Sequence, residues 1–409
     1  MLNIPLIQLP KGQTKGYDTA CLYVGCSTYD EPPNKAGINH LLEHVLMCND
    51  NIDNYAGKLG LETNAETHGG YVRFWFSAPR KHLDFCINYL KKIGSRPSFL
   101  HIKRESDAIR QELISVLEET EYYSDYATLK RLFPDSGYLR GNDVKLMLKT
   151  LPKISKKSVL EKYFRENYLG KMFIVVSSSA KIKGAVKLNK LPKKYVAGSP
   201  KMSEKRGSEI IHIKRPEVEK SQCSLIFYKA FSSVKATEYH KISKEHHTLC
   251  LTTRILSNGL DSLLYKVLRE KLRLVYSVSC ETEIEPFGVL TEIKWSCDTN
   301  KVDKCVENVF KVLDKFKTHH FRGHKNLYLE QLRRNNLLTS KDIVDIYGEH
   351  MVLWGKYETV ENILKRVKKI GRKDVINSVK KYFDRSRCFL IHISSRDTAP
   401  RIRKFASLK

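Results

Sequence analysis

Two stretches far apart in the chain share one shape: YVRFWFSAPRKHLDFCINYLKKIGS at 71–95 and LTEIKWSCDTNKVDKCVENVFKVLDKFK at 290–317. Each opens on a strand-like run, Val72, Phe74 and Phe76 alternating in the first. Each then passes a short turn and continues with apolar residues at helical spacing. A second pair stands in the same order: ISKKSVLEKYFRENYLGKMFIVVSS at 154–178 and IGRKDVINSVKKYFDRSRCFLIHISS at 370–395. Both are Lys-rich helices that end on an aromatic pair and lead into a strand closing on Ser-Ser. Two matched pairs in one order point to two copies of a single α/β unit within 409 residues.

The intervening sequence fits this plan. Thr19–Val24 and Lys171–Val176 read as strands, and Asn34–Cys48 and Arg104–Glu119 as helices. Residues 184–208 are rich in Lys, Ser, Gly and Pro, which is linker composition. The sequence therefore divides into a first domain at 1–183, a linker at 184–208 and a homologous second domain at 209–409.

Composition narrows the class. Apolar residues make up 41%, enough for sizeable cores and too many for a disordered chain. The formal net charge is +27, which in principle suits nucleic acid, an anionic membrane or acidic substrates. The basic residues are spread along the chain, with local bunching only at 181–206 and 364–381. No basic stripe interleaves with aromatics, so the excess reads as a solvated surface and not as a nucleic-acid interface. The ten cysteines form no C-x-x-C pair, and many lie in apolar runs, so they read as buried reduced thiols. The start of the chain lacks a signal-peptide pattern and no apolar run approaches a membrane span, from which an intracellular, cytoplasmic protein is expected.

The chemistry concentrates in Gly37-Ile-Asn-His-Leu-Leu-Glu-His-Val-Leu-Met47. His40 and His44 are four apart, so on a helix they project from one face and can share one tetrahedral zinc. Glu43 cannot easily join that sphere, but it can act on a water in the open position. This is the inverted H-x-x-E-H order. A third ligand is required, and the 104–119 helix offers Glu105 and Glu112, seven apart on one face, with Glu119 continuing it. A chance match or a satisfied surface His pair is the plain alternative. Neither explains why the motif sits among Ile38, Leu41, Leu42, Val45 and Leu46, where buried His and Glu are costly without a metal. The clusters His240, His246, His247 and His319, His320, His324 lack an acidic partner at ligand spacing. His68 reads as part of a turn before Gly69-Gly70.

These motifs resemble the pitrilysin/insulinase family of zinc metallopeptidases, especially two-domain members of the mitochondrial processing peptidase type, over nearly the whole chain. Gly37-x-x-His40-x-x-Glu43-His44 is similar to the family's G-x-x-H-x-x-E-H. Glu105-x6-Glu112 is similar to its E-x6-E helix, which implies Glu112 as third ligand and Glu105 in support. Asn64-Ala65-Glu66-Thr67 resembles the N-A-x-T edge strand that receives substrate. Leu268-Arg-Glu-Lys-Leu-Arg-Leu-Val-Tyr-Ser277 resembles L-R-E-K-x-G-L-x-Y-S, which implies that Arg269 and Tyr276 reach the substrate. Arg273 stands where the family commonly has Gly, and the 68 residues from His44 to Glu112 are fewer than is usual. A more distant likeness links the chain to the poxviral zinc peptidase, hinting at a virus-encoded origin.

The resemblance implies two homologous α/β domains, each a mixed sheet backed by helices, around a chamber. It implies one Zn2+ per chain, a peptide or unfolded protein as substrate, and a homo- or heterodimer with a related chain. The reaction is then peptide-bond hydrolysis, with Glu43 as base and Tyr276 hydrogen-bonding the substrate carbonyl. A catalytically weak or inactive subunit on the same fold is the competing reading.

Overall fold

The computed structural model describes residues 4–12, 16–48, 50–188, 190–207, 209–231, 239–318, 320–334 and 339–396, with backbone alone at 50–54 and 240. The first half carries helices α1 (Ile38–Met47), α2 (Asp50–Leu59), α3 (Leu83–Ser95), α4 (Ile102–Val116), α5 (Thr120–Leu132), α6 (Gly137–Arg140), α7 (Val144–Ile154) and α8 (Lys157–Asn167). The second carries α9 (Tyr239–Ser257), a π-helical turn (Tyr265–Lys271), α10 (Val302–Asp314), α11 (Phe321–Arg334), α12 (Ser340–Trp354), α13 (Val360–Lys368) and α14 (Arg372–Tyr382).

One sheet contains β1 (Leu6–Leu9), β2 (Tyr17–Val24), β3 (Glu62–Thr67), β4 (Val72–Pro79) and β5 (Met172–Ser177), in the order β1-β5-β2-β4-β3. The other contains β6 (Glu209–Lys214), β7 (Ser221–Ala230), β8 (Val275–Glu285), β9 (Gly288–Cys297) and β10 (Cys388–Ser394), in the order β6-β10-β7-β9-β8. Pairing each strand with the one five later makes the two orders identical. The one parallel pair also falls at the same place, β1 with β5 and β6 with β10. The duplication read from the sequence is thus present in the topology, and both sheets are mixed and backed by helices.

The interior strands explain their own composition. β5 is buried along its whole length, and β2 and β4 nearly so. A strand covered on both faces has no solvent side and reads as a near-continuous apolar run. β3, at the sheet edge, is polar and partly exposed.

The chain divides into two compact units: Met1–Glu119, Phe133–Lys201 and Arg334–Thr359 in one, Thr120–Leu132, Met202–Arg333 and Val360–Lys409 in the other. This differs from the contiguous division at 1–183 and 209–409. Each unit takes one helix from the other half of the sequence. In the first, α12 places Ile343, Val344, Tyr347, Met351, Val352 and Leu353 in one cluster with Tyr23, Phe173 and Val175 of the sheet. Tyr23 donates from its hydroxyl to Val344 O at 3.1 Å. Burying six such side chains is worth roughly 10 kcal/mol, as much as the whole net stability of a typical domain. In the second unit, α5 lies against β10. There Arg131 donates to Glu209 at 3.0 Å and Ser124 to Ser224 at 3.3 Å.

The expected linker is also different. Val186 bridges Ile7, Leu191 N donates to Gly355 O at 2.6 Å, and Ala197 N donates to Val352 O at 2.7 Å. Leu191 and Tyr195 are buried. The Lys, Gly and Pro content hid a few apolar anchors that fasten this segment to the first unit. All ten cysteines are free; only Cys48 and Cys250 are more than marginally exposed. No helix among the described residues is long and apolar enough to cross a membrane.

Candidate metal centre

The site begins with how α1 is started. Gly37 takes a left-handed conformation, φ 81°, which places the chain at the helix N-terminus without a side-chain clash. Glu31 then supplies the cap. Its carboxylate accepts from Gly37 N at 2.7 Å, Asn39 N at 3.1 Å and Asn39 Nδ2 at 2.9 Å. Burial pushes the Glu31 carboxyl up, and the donors from Gly37 and Asn39 pull the other way without cancelling it. A carboxylate at this point offsets the positive end of the helix and satisfies its orphan N–H groups. Asn39 is held in turn, accepting from Tyr168 Oη at 3.1 Å and donating to Tyr163 Oη at 3.3 Å.

With Ile38, Leu41, Leu42, Val45 and Leu46 buried, α1 has one orientation, and His40 and His44 share the remaining face with ring centroids 4.9 Å apart. α4 packs against α1 and is anchored by buried Ile109 and Leu113. Glu112 Oε1 stands 3.5 Å from His40 Nε2, and Glu112 Oε2 stands 3.6 Å from His44 Nε2. Ligand atoms of His40, His44 and Glu112 all lie within 4.8 Å of one another, the one such group among the described residues. Tetrahedral zinc with bonds of about 2.0–2.1 Å sets its ligand atoms about 3.3 Å apart. Two imidazoles and a carboxylate at this spacing fit zinc.

The surrounding groups complete the electrostatics. Glu105 Oε2 is 3.4 Å from His44 Nδ1, and Glu105 Oε1 accepts from Arg104 Nε at 3.0 Å. Burial pushes Glu105 up, but hydrogen bonds from Cys48, Arg104 and His44 outweigh it and leave the carboxyl low. The hydrogen bond with His40 is the main reason Glu112 is also low, which leaves an anionic carboxylate that could hold a metal. Burial pulls His40 down, yet Glu112 and the Glu43 carboxylate together leave it raised, and it must lose that proton to ligate. Glu43 is pushed up by burial, while the Thr67 hydroxyl donates to its Oε2 at 2.6 Å.

Glu119 is not part of this group. α4 ends at Val116, the helical period stops there, and Glu119 is exposed. On β3 the side chains alternate. Thr67 faces Glu43, while Glu66 turns to Arg73 (2.5 Å), Trp75 Nε1 (3.2 Å) and His68 (3.2 Å). His68 lies in the turn, its N–H donating to Tyr71 O at 2.8 Å. His319 lies outside the described residues, as does the side chain of His240.

In the second unit, the Arg269 guanidinium lies over the rings of Tyr265 (4.9 Å) and Tyr276 (4.7 Å), and Tyr276 is 75% exposed. A bulge between Val275 and Val278 releases Tyr276 from regular pairing. Arg273 adopts φ 51°, so the left-handed turn expected of a Gly is kept by a residue that pays for it in strain. Glu31 and Asn39 are the supporting residues that sequence reasoning passed over. The signal available was a Glu six residues before Gly37, obscured by the intervening Pro32-Pro33.

Known proteins resemble this chain over most of its length. A family model described as Insulinase (Peptidase family M16) matches residues 10–132, and one described as Peptidase M16 inactive domain matches 156–326. An uncharacterized zinc protease of Rickettsia felis is 23% identical over 383 residues, covering 86% of each chain. Among solved structures, a protease from Helicobacter pylori superposes with TM-score 0.78 at 13% identity, over 96% of this chain and 97% of that one. A peptidase M16 inactive domain from Pseudomonas fluorescens superposes with TM-score 0.69 at 14% identity, over 95% and 94%.

Proposed function

Because the chain belongs to the pitrilysin/insulinase family, peptidase family M16, we propose that it is a zinc-dependent endopeptidase acting on peptides or extended protein segments. The observation that carries this reading is the convergence of His40, His44 and Glu112 around one point, with Glu43 on the same helix and outside the ligand set. Bound there, zinc would supply Lewis-acid polarisation of a peptide carbonyl and lower the pKa of water. Glu43 takes a proton from the attacking water and returns it to the leaving amine. Glu105 keeps His44 oriented by its Nδ1 edge, so that Nε2 is the nitrogen left to ligate. Asn64, Ala65, Glu66 and Thr67 offer the outer edge of β3 to an extended peptide by strand addition, a mode that selects for shape before side chain. Arg269 and Tyr276 are assigned to the bound peptide by family likeness, and their stacking supports a pre-set pair.

A second reading is a peptide-holding or processing subunit with little activity. The match of 156–326 to a domain described as inactive favours it for the second half, and 209–409 contains no second H-x-x-E-H. The experiment that separates the two is digestion of a peptide library by purified protein, before and after chelation and on zinc restoration. Cleavage lost to chelator and restored by zinc supports the peptidase. Absence of cleavage by zinc-loaded protein supports the subunit.

A further inference from the structure

Thr67 closes β3, where the strand pairs with Val72 of β4. Its backbone is therefore set by the sheet. Glu43 is set independently by α1, through buried Leu42 and Val45. The two side chains meet across this gap, the Thr67 hydroxyl donating to Glu43 Oε2 at 2.6 Å. Among the described residues it is the one hydrogen-bond donor to that carboxylate.

A glutamate needs such a contact. The terminal torsion of Glu is broad and two-fold, so helix position alone does not fix the plane of the carboxylate. Side chains alternate along a strand, so Thr67 faces α1 only while β3 keeps its register. The register is fixed from the opposite face, where Glu66 is clamped by Arg73 and Trp75. The strand that offers its edge to peptide therefore also aims the base.

We infer that Thr67 is a positioning residue that orients the Glu43 carboxylate by occupying Oε2 and leaving Oε1 to accept the proton. This rests on the assignment of Glu43 as general base. It differs from a substrate contact, because the hydroxyl is committed to Glu43 and acts through it. Small displacements of a base are expensive: a misplacement of about 1 Å can lower a rate about 100-fold.

The test compares Thr67→Val, Thr67→Ser and Glu43→Gln, with the Thr67→Val/Glu43→Gln double variant, on one peptide cleaved by the wild type. Zinc content and thermal melting are measured on every sample. Thr67→Val is expected to lower kcat about 10- to 100-fold, with KM within about two-fold and zinc content unchanged. Thr67→Ser, which keeps the donor, recovers most of that loss. In the Glu43→Gln background, Thr67→Val removes less than about two-fold more. A rise in KM at constant kcat, or an equal loss in both backgrounds, overturns the inference. So does loss of zinc or of the fold in Thr67→Val with no rescue by Thr67→Ser, since that marks a structural role. Unchanged kcat in Thr67→Val overturns this inference alone, whereas a zinc-loaded wild type that cleaves nothing overturns the peptidase reading as well.

Discussion

Glu105 takes the Nδ1 edge of His44, its Oε2 standing 3.4 Å from that nitrogen on α1. The imidazole is thereby directed so that its other nitrogen faces Glu112. Supporting carboxylates of this kind typically change metal affinity 10- to 100-fold. Glu105→Gln should keep one zinc at saturation but release it to a competing chelator at about 10- to 100-fold lower chelator concentration. Glu112→Gln, a ligand change, should lose far more, and Glu119→Gln should match the wild type. Chelator competition on the three variants checks the ranking.

Glu31 caps the same helix from a fully buried position. In Glu31→Gln the amide group must face N–H donors with a donor of its own, whichever way it is flipped. The expected loss is about 1–3 kcal/mol of stability, read by denaturant melting, with weaker zinc binding as a consequence. A variant as stable as the wild type would mean that α1 is not anchored through this carboxylate.

Asp125 on α5 is exposed at its surface side, yet the protein packed around its carboxyl pushes it up to about 6, with Lys294 lowering it and Glu292 and Glu121 raising it further. Glu283 also faces it. Its folded pKa lies above the unfolded value, so the folded state binds the extra proton between about pH 4 and 6. Stability from this group therefore falls as pH rises through that window and stays lowered above it. Because Asp125 is exposed, solvent screens much of this effect; Asp125→Asn should melt slightly higher than the wild type at pH 7 and show no gain near pH 3.5. Melting curves at the two pH values test the sign.

The exchanged helix sets the folding unit. A fragment of residues 1–183 lacks α12 and leaves Tyr23, Phe173 and Val175 uncovered, so it should be insoluble or molten and should not hold zinc. A single substitution probes the same contact. A Cβ at Gly348 would lie 2.4 Å from Tyr23 Cε2, inside a packed ring that donates to Val344 O. Gly348→Ala should destabilise the whole chain by about 1–3 kcal/mol. A folded, zinc-binding 1–183 fragment would contradict this account of the first unit.

What was legible in the sequence was what local spacing encodes. His40 and His44 at i, i+4, Glu105 and Glu112 at i, i+7, and two copies of one strand–helix pattern each became a feature of the fold. The exchange of α5 and α12 was not legible. Ile343, Val344, Tyr347 and Met351 announce a helix with a buried face, but periodicity does not say which sheet covers it. The segment 184–208 misled because Leu191 and Tyr195 are few among many lysines. Glu31 reaches Gly37 and Asn39 across a short irregular loop that has no periodic pattern to read. Thr67 reaches Glu43 through a tertiary contact, and nothing in an edge-strand pattern shows that Thr67 faces Glu43 while Glu66 turns to Arg73.

The central claim is that Glu43 performs chemistry while His40, His44 and Glu112 hold the metal. The most direct measurement is a peptide-library digest by wild type and Glu43→Gln, with zinc quantified on the same samples. About one zinc per chain is expected in both, as for a three-ligand catalytic site, with cleavage by the wild type and a loss of at least about 100-fold in the variant. Equal cleavage by both, or loss of zinc from a folded Glu43→Gln, would contradict it.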